Sequence, residues 1–101
     1  MLNRLIIAAA AVALTTPLAV AGPIDSACAK SPRRSTDRGL CGCIQQVADQ
    51  TLSRSDQRRA ARFFSDADEA QSVRMSKTDA DNAFWRRYER FASTAEAYCS
   101  R

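Results

Sequence analysis

Four cysteines, Cys28, Cys41, Cys43 and Cys99, are the residues of this chain best suited to chemistry, and two of them form the triplet Cys41-Gly42-Cys43. Such a set can hold structural disulfides, bind a soft metal through thiolates, or exchange thiol for disulfide at a reactive pair. Zinc and copper sites draw on histidine as well as cysteine, and the 101 residues include no histidine. Redox pairs commonly place one thiolate at a helix start within Cys-x-x-Cys, whereas here the gap is a single residue. Structural disulfides engaging all four cysteines are the leading expectation. Thiol redox or metal handling at Cys41 and Cys43 is the alternative, and no cofactor is expected.

Other catalytic chemistry has little to work with. Without histidine the chain lacks the usual general base and both the Ser-His-Asp and Cys-His arrangements. Its acidic clusters, Asp66, Asp68 and Glu69, then Asp79 and Asp81, fall where helix starts favour negative charge. No phosphate loop, dinucleotide fingerprint or calcium loop is present. The chain does not read as an enzyme.

Pairing of the cysteines follows from the helix that carries two of them. Successive helical residues turn by about 100°, so Cys41 and Cys43 sit about 200° apart, too divergent to bridge each other. Two pairings remain. Cys28–Cys41 with Cys43–Cys99 is slightly favoured, and Cys28–Cys43 with Cys41–Cys99 stays open.

The compartment is set by residues 1–21, which read as a cleavable signal peptide. Arg4 precedes the apolar run Leu5 to Leu14, Thr15, Thr16 and Pro17 break it, and Ala19-Val20-Ala21 offers small residues before a cut. An apolar run of about ten residues is half of what a bilayer-spanning helix needs, so no membrane span is expected after cleavage. Residues 22–101 form one domain, expected to be periplasmic or secreted, where disulfides persist. A core of this size yields only a few kcal/mol of net stability, so two bridges would weigh heavily.

Once Arg4 is removed, 14 basic residues face 11 acidic ones, a mild excess of +3. Twelve of the 14 are arginines, which favour bidentate contact with carboxylates and phosphates, so an anionic partner is the one to look for. Arg33 and Arg34 make one cluster. Arg58, Arg59 and Arg62 make a second and Arg86, Arg87 and Arg90 a third; these six are the candidate anion-binding set. If they converge, an anionic envelope component or an acidic protein is the expected partner. If they scatter among Asp56, Asp81 and Glu89, they are a solvated face. Export argues against nucleic acid.

The positioning elements are all helical. A short helix is predicted from Pro23 to Lys30, ending before Pro32, and a second, capped by Ser35 or Thr36, to about Leu52 with Leu40, Ile44, Val47 and Thr51 on its buried face. Gly42 weakens that helix by about 1 kcal/mol relative to alanine, and its place between two cysteines suggests close backbone packing. A third helix, capped by Ser53 or Ser55, is predicted from Asp56 to Phe64, turning Ala60, Phe63 and Phe64 inward. Asp66 with Glu69 opens a short fourth. Thr78 with Asp81 opens the last and longest, whose seam is Phe84, Tyr88, Phe91, Ala95 and Tyr98, flanked by Trp85, Ala92 and Cys99. The expected fold is an all-α bundle of four or five helices stapled by two disulfides.

Three blocks carry a resemblance: Leu40-Cys41-Gly42-Cys43-Ile44-Gln45-Gln46-Val47-Ala48, Asp56-Gln57-Arg58-Arg59-Ala60-Ala61-Arg62-Phe63-Phe64, and Ala83-Phe84-Trp85 through Tyr98-Cys99. Together they resemble a family of short exported bacterial Cys-Gly-Cys proteins, some of which bear the name "arginine transporter". The resemblance spans nearly all of residues 22–101. It implies export and, through that name, a part in arginine or other solute transport, and it assigns no catalytic or binding residue. Eighty residues cannot form the two-lobed cleft of a typical solute receptor, so the leading expectation is a binding or structural accessory protein of the cell envelope.

Overall fold

Helix α2, Arg38–Thr51, lies between two neighbours and has two buried sides as a result. In the computed structural model, which describes residues 22–31 and 37–99, it packs against α1, Pro23–Lys30, on one side and against α5, Asp79–Cys99, on the other. Helix α3, Arg54–Ala61, continues into a 3-10 turn, Arg62–Phe64, and α4, Ala67–Met75, crosses back to α5. The described residues form an all-α bundle of five helices. Residues 1–21, expected to be a signal peptide, the Arg33-Arg34 pair and the expected caps Ser35 and Thr36 lie outside them.

Four of the five helix starts are fixed by a local side chain; α1 has none and begins instead with Pro23 in its first turn. Asp37 accepts from the Leu40 amide at 2.9 Å, Ser53 from Asp56 at 3.0 Å, Asp66 from Glu69 at 3.1 Å, and Thr78 from Asp81 at 3.1 Å. These bonds satisfy amides that have no partner inside the helix. The cap of α2 is therefore Asp37, one residue beyond the expected Thr36. The Ser53 cap starts α3 at Arg54, two residues before the expected Asp56.

The core joins Ile24 of α1, Val47 and Ala48 of α2, Leu52, Ala60 of α3, Phe63, Val73 of α4, and Phe84 and Phe91 of α5. Phe63 meets Phe84 edge-on at 6.1 Å and Tyr88 edge-on at 5.1 Å, the geometry that aromatic quadrupoles favour. Two details depart from the sequence reading. Tyr98, placed in the α5 seam, is 75% exposed, because the line of α5 that packs on the core passes from Ala95 to Cys99 instead. Nothing lies within 4 Å of a Cβ built on Gly42, so no close packing requires the glycine there.

Two cystines clamp α2 to its neighbours. Cys28–Cys41 ties α1 to it, with Cα atoms 5.6 Å apart, and Cys43–Cys99 ties the end of α5 to it, at 5.8 Å. The favoured pairing is the one observed. Disulfides of this kind fit an oxidising, extracytoplasmic compartment.

Candidate functional site

The predicted face of α2 is only one of its two buried sides: Val47 is buried there and Ile44 packs on the core, with Leu40 and Thr51 partly buried. The second side, Cys41, Gln45 and Ala48 with Leu52 at the helix end, is buried as well and lies outside the predicted face. This line faces α1 and α3 and has a glutamine at its centre. Gln45 Oε1 accepts from the Asp25 amide at 2.8 Å, and its Nε2 donates to Gln57 Oε1 and to Asp49 Oδ1, each at 2.8 Å. Gln57 Nε2 in turn reaches the carbonyls of Ala48 and Leu52 and the Asp49 carboxylate at 3.2–3.3 Å. Both amides are nearly sealed from water, at 1% and 3% exposure, and both are satisfied. The network fixes α1, α2 and α3 in one register, and it explains why a polar residue stands where a pattern of apolar residues is sought.

The six candidate arginines divide into two groups. Three are tied to acids. Arg59 of α3 donates to Asp81 of α5 at 2.6 Å, and Arg87 of α5 donates to Asp56 of α3 at 2.6 and 3.2 Å, a reciprocal pair that straps the two helices together. Arg62 reaches Glu69 of α4 at 3.0 Å. The Arg59 guanidinium also lies 4.5 Å from the centre of the Phe84 ring, a cation–π contact over the core aromatic. Hydrogen bonds from Arg59 and then Ser76 hold the Asp81 carboxyl below the usual carboxylate value. Hydrogen bonds donated to Glu69 and to Asp56 raise the already high values of Arg62 and Arg87 respectively. Burial alone raises the Tyr88 phenol.

Arg58, Arg86 and Arg90 are exposed and make no ion pair among the described residues. Arg86 and Arg90 stand one turn apart on α5. Arg58 instead joins Arg62 and Lys30 around a trough of about 510 Å³ between α1, α3 and the 3-10 turn. Pro23, Ala27, Ala61 and Phe64 supply its apolar surface, and Ser26, Ser31 and Ser65 add hydroxyls. Lys30 was not among the candidates. It follows the buried Cys28 by two residues, so the bridge that fixes Cys28 also fixes where Lys30 stands.

A second trough, about 890 Å³, lies between α2 and α5 and is lined by Leu40, Ile44, Tyr88, Phe91 and the Cys43–Cys99 cystine. Cys41 and Cys43 thus belong to different bridges and do not form a dithiol pair. No group of three or more His, Cys, Asp or Glu among the described residues is placed to hold a metal ion. No described helix is long and apolar enough to cross a membrane.

Fold and site together define a disulfide-braced helical bundle with a cation-rimmed apolar trough. In comparisons with known proteins the chain matches no family model, no curated protein and no solved structure.

Proposed function

We propose that this chain is an exported accessory protein of the cell envelope, periplasmic or secreted, that binds an anionic lipid through the trough between α1 and α3. The role is binding and not catalysis. The observation that carries this reading is the combination at one site of an apolar floor with Lys30 and Arg58, two cations lacking an acidic partner among the described residues. A phosphate or carboxylate headgroup suits the rim, and an acyl chain suits Ala27, Ala61 and Phe64. The resemblance to exported Cys-Gly-Cys proteins agrees with the compartment. The name "arginine transporter" does not suit this trough, whose charge has the wrong sign for a guanidinium ligand.

The test is sedimentation of the processed protein with vesicles. Binding is expected to phosphatidylglycerol vesicles and not to phosphatidylcholine vesicles, and to weaken as salt rises. Lys30→Glu with Arg58→Glu should abolish it, and Arg86→Glu with Arg90→Glu should leave most of it. Equal binding to both vesicles, or loss only with the α5 pair, overturns the reading. Failure to bind vesicles together with salt-sensitive capture of an acidic protein would replace the lipid with a protein partner.

A further inference from the structure

The two cystines differ in what can reach them. Cys28 and Cys41 are each 0% exposed, enclosed where α1, α2 and α3 meet. Cys43 and Cys99 are both partly exposed and line the open trough between α2 and α5, beside the exposed Tyr98. Attack on a disulfide requires a thiolate to reach one of its sulfurs, so access separates the two bridges before any difference in potential does.

We propose that Cys43–Cys99 is a thiol–disulfide exchange site for a dithiol, such as the reactive pair of an exported oxidoreductase, and that Cys28–Cys41 is closed to the same chemistry. One thiolate of the dithiol attacks a sulfur of Cys43–Cys99. The S–S bond breaks, a mixed disulfide forms, and the departing thiolate takes a proton from solvent. The second thiol of the dithiol, as its thiolate, then attacks the mixed disulfide and frees the other cysteine. Two electrons pass to the bridge, which becomes two thiols, and the dithiol becomes a disulfide.

The position of the bridge limits what its opening releases. Cys99 is the last residue of α5, whereas Phe84 and Phe91, which hold α5 on the core, lie two to four turns earlier. The first movement is therefore of the final turns of α5 away from Leu40 and Ile44. The apolar walls of that trough give a partner something to grip. The cation-rimmed trough is lined by none of the four cysteines, and Phe64 alone borders both troughs.

Timed reduction of the native, processed protein with dithiothreitol tests the proposal, with N-ethylmaleimide quenching and peptide mass mapping. Initial labelling of Cys43 and Cys99 should be on the order of tenfold faster than that of Cys28 and Cys41. In concentrated guanidinium chloride the ratio should fall to near one, because the folded chain creates the difference. Equal initial rates in the native protein, earlier labelling of Cys28 or Cys41, or a preference that persists in denaturant each overturns it.

Discussion

Cys43 and Cys99 lie 56 residues apart in sequence and 5.8 Å apart at their Cα atoms, while Cys41, two residues before Cys43, joins Cys28 on the other side of α2. One turn of helix thus feeds two covalent ties running in different directions. The first closes a short hairpin and the second closes more than half of the domain, so their removal should not cost the same.

In the chain-entropy account the Cys43–Cys99 loop is worth about 4 kcal/mol and the Cys28–Cys41 loop about 3 kcal/mol. Urea denaturation of Cys43→Ala with Cys99→Ala, and of Cys28→Ala with Cys41→Ala, should show losses near these values or an unfolded chain. A loss below about 1 kcal/mol for either pair would contradict the brace role of that bridge.

The glycines on either side of the first bridge should respond in opposite ways. Gly42→Ala meets open space and removes a helix-breaking residue, so it should stabilise by about 1 kcal/mol. A Cβ on Gly22 would stand 2.6 Å from the Gln45 side chain, which its hydrogen bonds hold in place. Gly22→Ala should cost about 1–3 kcal/mol in thermal or chemical denaturation.

Gln45→Leu leaves the Asp25 amide and Gln57 Oε1 without their partner in a sealed region. It should cost about 1–3 kcal/mol. Adding Gln57→Leu should cost less than the sum of the two single changes, because each loses the same bond. A double-mutant cycle with no coupling would show that the network is not a unit.

The Asp81–Arg59 pair makes stability depend on acid pH in a definite direction. Because its folded value is depressed, Asp81 contributes fully above the unfolded value, about 3.9, and that contribution is lost as pH falls through the lower folded value. The stability difference between the protein and Asp81→Asn should stay level from pH 7 to about 5 and shrink toward pH 2. A difference that grows on acidification contradicts the pairing.

How far the sequence reaches depends on which residues decide each feature. The helices were legible because Asp66, Thr78 and Ser53 start them with local hydrogen bonds that need no tertiary knowledge. The cysteine pairing was narrowed by helix geometry and decided by packing. The buried line Cys41, Gln45, Ala48 was not legible, since a glutamine reads as surface until α1 and α3 bring Asp25 and Gln57 to it. The same limit hid the split among the arginines. Asp56 and Asp81 lie 31 and 22 residues from their partners, so only the crossing of α3 and α5 shows which cations are occupied and leaves Arg58 beside Lys30.

Thermal unfolding of the protein, followed by circular dichroism with both bridges intact and again after full reduction, tests most directly whether cystines hold this small bundle together. Each kcal/mol shifts the midpoint of a domain this size by about 4–8 °C, so reduction should lower it by about 20 °C or more, or erase the cooperative transition. A midpoint unmoved by reduction would contradict the covalent-brace role and leave the four cysteines needing another explanation.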